Sequence, residues 1–416
     1  MSRRFTFYIL LAMLLGIGVG QACNTWLADP AVVAGYFSLL TDLFLRLIKM
    51  IIAPLVFATL VTGIAHMGAT GAVGRVGAKT LGWFVGASLL SLLLGMAMVT
   101  LLAPGATLAL PLPEATAQLA VQPAALNLKD FIAHLVPKSF IEAMAGNEIL
   151  QIVVFSVFFG MAVAAVGSAA RPVLVGVEAL AQVMLKLTGY VMLFAPVAVF
   201  AALSATVATR GLSILLTYGQ FIGGFYLSLG LLWLLIAGAG FLFIGPRVVR
   251  LLAVVREPVL LAFSTASSEA AYPKTLDQLM RFGVSKRIGS FVLPLGYSFN
   301  LDGSMMYCTF ATLFIAQAYG IDLTWGQKLT MLLLLMVTSK GMAGVPRASL
   351  VVIAATLSFF HIPEAGLLLI LAVDHFLDMG RSATNVIGNS VAAAVVAKWE
   401  GELGLESPSL LGDQAH

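Results

Sequence analysis

A polar stripe interrupts the last long apolar run of the chain, residues 366–397. Its polar side chains follow one another at steps of four, three, four and four residues: Asp374, Asp378, Arg381, Asn385 and Asn389, with Ser382 beside them. An α-helix would place all of these side chains on one face. Carboxylate, guanidinium and amide groups on one face can together bind an ionised small molecule or a cation.

This stripe cannot face lipid. The run 366–397 is long enough to cross a hydrocarbon core of about 30 Å, and a central Asp or Arg in such a helix costs about 2.5 to 3.5 kcal/mol on insertion scales. The charges should therefore point into protein or a watery cavity and pair there. An Asp378–Arg381 ion pair that only neutralises itself is the alternative, but the number of polar groups on the face favours a functional site.

Composition restricts the class of protein that carries the stripe. Of 416 residues, 60% are hydrophobic and 10% are charged, whereas about a quarter of a soluble protein is charged. The net charge of +4 is small, and its positive residues lie in short loops between apolar runs, which indicates a lipid bilayer rather than nucleic acid as partner. The two cysteines and five scattered histidines predict neither a disulfide framework nor a zinc site.

Hydropathy and loop charge predict an all-α membrane protein with eight transmembrane helices and two interrupted apolar segments. The expected spans are 6–25, 36–66, 79–103, 149–168, 173–208, 213–245, 288–318 and 366–397, and the interrupted segments are 257–283 and 327–362. Threading the spans from a cytoplasmic N-terminus places the Lys and Arg groups between them on the cytoplasmic side. Both termini are therefore predicted to be cytoplasmic.

The two interrupted segments carry hydroxyls, charges, Gly or Pro where a lipid-exposed helix would be apolar. The polar stretches are residues 263–273 in the first segment and 338–349 in the second. Non-helical backbone at membrane depth is tolerated only where it is buried in protein or lines a cavity. We therefore expect two re-entrant helical hairpins with a buried site between their tips. A cytoplasmic loop with a serine-rich tip is the alternative for 257–283.

The span between the hairpins is interrupted at residues 297–304, which include Asn300, Asp302 and Gly303. We expect a discontinuous helix whose freed carbonyls, with the Asp302 carboxylate, can hold a dehydrated cation, because hard cations prefer oxygen ligands. Asp302 acting only as a helix cap is the alternative. The order hairpin, broken span, hairpin and polar final helix is typical of secondary transporters built from inverted repeats.

At these residues the chain resembles the dicarboxylate/amino acid:cation symporter family, which includes the glutamate transporters. The resemblance extends over residues 5–402 and is carried by four motifs, at 264–273, 300–304, 343–346 and 374–389. It implies a glutamate-transporter-like inverted-repeat elevator fold in a homotrimer of the cell inner membrane. It also implies a transporter rather than an enzyme, without a cofactor, closest to bacterial proton-coupled glutamate/aspartate symporters.

The resemblance further implies a scaffold and a mobile transport domain. The expected division is 1–78 for scaffold spans one and two, 79–103 for the third span in the transport domain, 104–212 for an extracytoplasmic connection with scaffold spans four and five, 213–402 for the core of the transport domain, and 403–416 for a cytoplasmic tail.

The same resemblance places the substrate between the hairpin tips and the final helix. Arg381 would bind the side-chain carboxylate through its planar fork, and Asp378 would bind an ammonium. The remaining substrate-binding residues implied are Ser268, Ser304, Val345, Ser382 and Asn385. Relatives that carry plain dicarboxylates typically lack the acid at the position of Asp378, so L-aspartate or L-glutamate is favoured. A C4-dicarboxylate such as succinate, fumarate or malate is the alternative.

The coupling ion depends on departures from the family pattern. The residues implied for cation or proton coupling are Glu269, Gly296, Asn300, Asp302, Asp374, Asn389 and Ser88. Asn389 stands where sodium-coupled relatives have an aspartate, so a sodium site at Asn300 and Asp302 should be weak. Glu269 resembles the pattern of proton-coupled bacterial members. We therefore predict proton coupling through Glu269 or Asp302, with sodium less favoured; nothing in the sequence explains Arg347.

Overall fold

The computed structural model describes residues 3–65, 70–106, 136–212, 218–338, 348–371 and 373–404. Within these ranges the chain is helical, and its β structure is confined to an isolated bridge between Val284 and Leu403. The α-helices are α1 Arg3–Trp26, α2 Pro30–Ala65, α3 Thr70–Leu102, α4 Phe140–Gly146, α5 Ile149–Val166, α6 Arg171–Met192, α7 Ala195–Arg210, α8 Gly219–Ile244, α9 Arg247–Thr265, α10 Ser268–Phe282, α11 Lys286–Phe299, α12 Asp302–Ala318, α13 Trp325–Thr338, α14 Ala348–Phe359, α15 Leu367–Leu371 and α16 Asp374–Trp399.

Several of these helices are apolar enough to lie in a bilayer. Three helical stretches in the described ranges have the length and composition to cross one: Val73–Leu102, Gln151–Val191 and Gly219–Ile244. Four shorter apolar helices accompany them: Pro30–Phe44, Met50–Ala65, Ala195–Thr209 and Ser349–Phe359. This agrees with the all-α membrane class read from composition, whereas the number of eight spans stays a prediction.

The expected single span 173–208 is wrong as a continuous helix. The structure ends α6 at Met192 and begins α7 at Ala195, with Pro196 in the first turn of α7. A proline has no N–H for the preceding turn and its ring clashes with the carbonyl four residues back, so it suits the first turn of a new helix. Hydropathy does not detect such a break, because the residues around it are all apolar.

The first interrupted segment folds as a helical hairpin, so the alternative of a loop with a serine-rich tip over 257–283 is wrong, whereas its place within the membrane stays a prediction. Helix α9 ends with Ala266 in a left-handed conformation (φ 49°), and Ser267 N donates to Ala262 O, the arrangement of a Schellman cap. Ser267 then caps α10, because its hydroxyl accepts a hydrogen bond from Ala270 N at 3.2 Å. Two residues thus end one helix and start the next.

A buried polar cluster fixes the two arms of this hairpin to one another. Lys274 Nζ of α10 lies 3.2 Å from Glu257 Oε2 of α9, and Gln278 Nε2 donates to the same carboxylate oxygen. All three side chains are buried. A buried charge needs a partner of opposite sign, so this pair sets the register of α9 against α10.

The broken span is discontinuous, as expected. Helix α11 ends at Phe299, α12 begins at Asp302, and Asn300 and Leu301 between them leave the helical conformation. Both half-helices, both arms of the first hairpin and α8 pack against α16, whose residues from Met379 to Ala397 are buried. The final helix is therefore the centre of one packed unit. Helices α1, α2, α5, α6 and α7 pack mainly among themselves.

The second interrupted segment is described only in part. Helices α13 and α14 contact one another and α12, which fits two arms of a hairpin. Residues 339–347 between them, including Val345 and Arg347, lie outside the described residues. The substrate-binding role predicted for Val345 therefore stays a prediction.

Candidate functional site

The whole polar stripe lies on α16, as its spacing predicts. Asp374 falls in the first turn of the helix, and Asp374, Arg381, Ser382, Asn385 and Asn389 are buried. The side chain of Asp378 is 32% exposed. The stripe thus consists of enclosed polar groups with one carboxylate partly open.

Arg381 is a buried cation held between two carboxylates. Its Nη2 lies 2.9 Å from Asp378 Oδ1 and 3.3 Å from Asp374 Oδ1, so the ion pair weighed as an alternative does form. However, Nε and Nη1 of Arg381 have no hydrogen-bond partner among the described residues. A buried guanidinium with unsatisfied donors is costly. It therefore retains the capacity to bind an additional anion.

Tyr307 completes this charged group and was missed in the sequence. Its ring lies under the Arg381 guanidinium, with 4.1 Å from Cζ to the ring centroid, and its hydroxyl donates to Asp374 Oδ1 at 3.0 Å. The cation–π contact and the shared carboxylate fix the plane of the guanidinium. Within α12, Ser304 and Tyr307 are three residues apart, the helical spacing that also reveals the stripe on α16.

A second cluster lies where the broken span meets α16. Asn300 Nδ2 donates to Asp302 Oδ2 at 3.0 Å and to Asn389 Oδ1 at 3.1 Å. Ser91 of α3, another residue missed in the sequence, donates to Asp302 Oδ1 at 3.3 Å. The helix cap of α12 is Leu301, without a side-chain bond, so Asp302 as a simple cap is wrong. The cluster brings together carboxylate and amide oxygens, which can coordinate a hard cation. The Asp302 carboxylate can instead take up a proton.

The oxygen cluster has unsatisfied atoms of both kinds. Asn300 Oδ1, a buried acceptor, and Asn389 Nδ2, a buried donor, have no hydrogen-bond partner in the described part of the chain. An orphan acceptor beside the Asp302 carboxylate suits a bound cation, whereas the amide at 389 supplies one formal charge less than a carboxylate would. Of the other coupling residues predicted, Ser88 is buried and Glu269 is half-buried at the start of α10.

Glycines allow the broken span to approach α16 this closely. A Cβ at Gly388 would overlap Asp302 Oδ2, and a Cβ at Gly296 would overlap Asn389 Oδ1. Neither glycine has an unusual backbone conformation. Both are therefore required for space, and Gly296 takes part in the cluster by admitting the Asn389 side chain.

Asn385 joins the substrate residues predicted on the two helices. Its Oδ1 accepts a hydrogen bond from Gly303 N at 2.9 Å, and its Nδ2 lies 3.3 Å from Ser304 Oγ. Ser304 and Ser382 are buried nearby, and Ser268 is buried at the start of α10, which packs on α16. The amide thus fixes α16 to the first turn of α12.

Helix α8 also positions α16 through two hydrogen bonds. Tyr226 OH donates to Phe376 O at 2.6 Å, and Trp233 Nε1 donates to Thr384 Oγ1 at 2.7 Å. These bonds hold the turns before and after Arg381. Two aromatic residues with polar tips in an otherwise apolar helix were the available sequence signal, since such tips need partners when buried.

The far end of α16 is held by ion pairs. The Glu400 carboxylate accepts hydrogen bonds from Arg75 at 2.9 Å and Lys79 at 2.6 Å, and the hydrogen bond from Arg75, with that from Lys79, lowers the pKa of Glu400 below its ordinary value. Glu402 pairs with Arg287. In the described ranges, no three His, Cys, Asp or Glu side chains lie together in a group that could hold a metal ion.

The chain is similar in sequence, over nearly its whole length, to known symporters and transport proteins. The sequence model of the Sodium:dicarboxylate symporter family matches residues 5–399. The chain belongs to this family. Among its relatives, a proton/sodium-glutamate symport protein of Bacillus caldotenax is 39% identical over 400 residues, covering 95% of this chain and 94% of the relative. A C4-dicarboxylate transport protein of Anaeromyxobacter sp. (strain K) is 40% identical over 408 residues, covering 97% of this chain and 91% of the relative.

Membership in the sodium:dicarboxylate symporter family confirms the resemblance read from the motifs. A third relative, a proton/sodium-glutamate symport protein of Bacillus subtilis (strain 168), is 37% identical over 398 residues, covering 94% of this chain and 92% of the relative. The family and these relatives are transporters, which agrees with a multi-pass membrane protein. Symport of acidic amino acids or dicarboxylates fits all of these relatives.

Proposed function

We propose that this symporter imports L-aspartate or L-glutamate across the cell inner membrane. The observation that carries the proposal is Arg381, which is buried, bears unsatisfied donors and has the partly open Asp378 carboxylate 2.9 Å from Nη2. A cation and an anion this close complement an amino acid with a distal carboxylate. Arg381 would bind that carboxylate and Asp378 the ammonium.

The other predicted substrate residues would close the site. Ser268 on the first hairpin and Ser304 beside Asn385 would bind the α-carboxylate by hydroxyl hydrogen bonds; both are buried, and the buried Ser382 lies next to Arg381 in the chain. Val345 belongs to the segment outside the described residues. We further propose that the packed unit around α16 moves against the scaffold as an elevator, in a homotrimer with both termini in the cytoplasm.

We propose that transport is coupled to protons. Asn389 leaves the cluster at Asn300 and Asp302 with one carboxylate, and one formal charge gives sodium a weak site. Glu269 or Asp302 would carry the proton. The unsatisfied Asn300 Oδ1 favours sodium as the competing ion, so both ions enter the test below.

A C4-dicarboxylate is the second candidate substrate, and two observations favour it. Asp378 is already paired with Arg381, which reduces its need for an ammonium, and C4-dicarboxylate transport proteins stand among the relatives at 40% identity. Succinate would then place one carboxylate on Arg381, and its second would have to avoid Asp378. Charge repulsion between those two carboxylates is the reason we rank this candidate second.

Uptake into proteoliposomes distinguishes the candidates. We expect labelled aspartate to accumulate and unlabelled succinate to compete weakly; failure of aspartate to enter, with succinate entering, would overturn our choice. An inward proton gradient and an inward sodium gradient are then imposed separately. Accumulation that requires sodium and ignores pH would contradict proton coupling. A Glu269→Gln variant that keeps proton-driven accumulation would leave Asp302 as the proton carrier.

A further inference from the structure

Two arginines of α9 lie near the far end of α16. Three other basic side chains in this region have carboxylate partners: Arg75 and Lys79 pair with Glu400, and Arg287 pairs with Glu402. Arg247 and Arg250 are exposed, and within the described ranges neither is paired with an acidic side chain. They are one helical turn apart on α9, so their positive charges add on one face.

Both arginines line the same cavity. It measures about 170 Å³ and is lined by Arg247, Arg250, Phe282, Leu403 and Gly404. Its apolar wall is fixed in place, because Gly404 N donates to Gly283 O at 2.8 Å and Leu403 forms a bridge with Val284. A cavity with two cations on one wall and apolar side chains on the other suits an amphiphile with an anionic group.

The cavity adjoins a surface suited to lipid. The end of α8, just before Arg247, exposes Phe241, Leu242 and Phe243, and the Leu242 side chain is 81% exposed. Phe243 also packs edge-on against Trp83 and Trp399. Exposed apolar residues contact acyl chains in a membrane protein, and Trp gathers at the headgroup level. Arg247 and Arg250 follow this apolar surface in the chain, so we expect them at the level of the lipid headgroups.

We propose that this cavity binds the phosphate group of an anionic phospholipid, such as phosphatidylglycerol, from the bilayer. The two guanidinium groups donate charge-assisted hydrogen bonds to the phosphate oxygens. Phe282 and Leu403 contact the glycerol and the first acyl carbons. Basic pockets between membrane helices hold anionic headgroups by this chemistry. The site shares no residue with the substrate and cation clusters around Arg381 and Asp302.

Lipid binding to the purified full chain in a neutral detergent tests the proposal. Native mass spectrometry measures the binding of dioctanoyl phosphatidylglycerol and, in parallel, dioctanoyl phosphatidylcholine. We expect the anionic lipid to bind more tightly, and each of Arg247→Gln and Arg250→Gln to weaken it about fivefold. Arg256→Gln is the matched control, because Arg256 is exposed on the same helix and does not line the cavity. The Arg256→Gln variant should bind dioctanoyl phosphatidylglycerol as tightly as the wild type does.

Three outcomes would overturn the proposal. Equal binding of the two lipids would show that the cavity does not require an anionic group. A loss of phosphatidylglycerol affinity in Arg256→Gln as large as that in Arg247→Gln or Arg250→Gln would show that general surface charge, not this cavity, attracts the lipid. Inorganic phosphate alone, binding as tightly as the anionic lipid and displacing it, would assign the cavity to soluble phosphate. Size-exclusion profiles verify that the single variants fold, and because each variant is tested separately, loss of one still leaves the other as a test.

Discussion

Arg381 and Asp378 are one turn apart on the final helix and 2.9 Å apart between Nη2 and Oδ1, yet they differ in exposure. The arginine side chain is 2% exposed, and the aspartate side chain is 32% exposed. The cation is thus enclosed with its remaining donors, while the anion keeps an open edge. Because of this difference in exposure, separate variants of Arg381 and Asp378 can test which residue binds the substrate carboxylate and which binds its ammonium.

Asp378→Asn should separate amino acids from plain dicarboxylates. The change removes the charge that would bind an ammonium, and a charged hydrogen bond contributes about 1.5 to 3 kcal/mol, so affinity for aspartate should fall about 10- to 100-fold. Affinity for succinate should be unchanged or should rise. Competition of both ligands against labelled aspartate or succinate in proteoliposomes measures the ratio.

Asp277→Asn is the control for that change. Asp277 lies in the hairpin arm α10 and pairs with Arg281 at the surface, so the same substitution there should leave the ratio of the two affinities unaltered. Equal losses of aspartate and succinate affinity in Asp378→Asn would show that Asp378 only holds Arg381 in place.

Arg381→Gln should abolish saturable uptake of either substrate. It removes the buried cation that Asp374 and Asp378 share, and breaking a buried ion pair in this way costs about 3 to 5 kcal/mol. Arg381→Lys keeps the charge but loses the planar fork, so we expect weakened binding rather than loss. Ligand-dependent shifts in thermal unfolding measure how well both variants bind substrate.

Arg281→Gln is the control, because Arg281 is exposed. Uptake by Arg381→Gln at the wild-type rate would contradict the role assigned to Arg381.

Asn389→Asp should create or strengthen a sodium site. A carboxylate at 389 would lie beside Asn300 and Asp302, adding the charge that the present cluster lacks. A ligand that binds only the folded state raises stability by about 2.7 kcal/mol at a hundredfold excess over its Kd. Thermal unfolding in sodium against choline should therefore show a clear sodium shift for the variant. An equal shift in the wild type would refute the inference drawn from Asn389.

Gly388→Ala should destabilise the protein although it raises helix propensity. The added Cβ would overlap Asp302 Oδ2, and such overpacking typically costs about 1 to 3 kcal/mol. Gly230→Ala in α8 is the matched control, because a Cβ there meets nothing within 4 Å; it should be neutral or stabilising by up to about 1 kcal/mol. Thermal unfolding and uptake compare the two, and equal effects would show that the contact at 388 is readily relieved.

Most helices, and the grouping of the polar residues, follow from the sequence because both rest on local patterns. The length of the apolar runs predicts most of the helices, and the spacing of the polar residues from Asp374 to Asn389 predicts that they share one face of α16. The breaks at Ala266 and Asn300 were also expected, since polar residues interrupt apolar runs there. The break before Pro196 was missed because residues around it are apolar and a proline in a first helical turn costs little.

Partners from distant helices could not be predicted by such patterns. Ser91 reaches Asp302 across 211 residues of chain, and Trp233 reaches Thr384 across 151. Tyr307 had a usable helical spacing, but only the packing of α12 on α16 reveals that its ring lies under Arg381. Asp378 and Arg381 were singled out by their charge, their helical spacing and the family resemblance, whereas the difference in their exposure depends on the folded chain.

The ion pairs of Glu400 with Arg75 and Lys79 beyond the end of α16 should make the stability of the protein depend on pH. The Glu400 side chain is 2% exposed, and hydrogen bonds from Arg75 and Lys79 lower its pKa in the folded state below its ordinary value of 4.5. A lowered folded pKa means that the stabilisation from the Glu400 carboxylate is fully present above about pH 4.5 and is lost as the pH falls through the folded pKa.

Glu400→Gln removes this contribution, so the variant should unfold at a lower temperature than the wild type near neutral pH. The difference should shrink as the pH falls below about 4.5. Glu142→Gln, at an exposed position on α4, should show no such convergence, and a Glu400→Gln deficit that is constant with pH would mean that packing rather than charge holds this end of the helix.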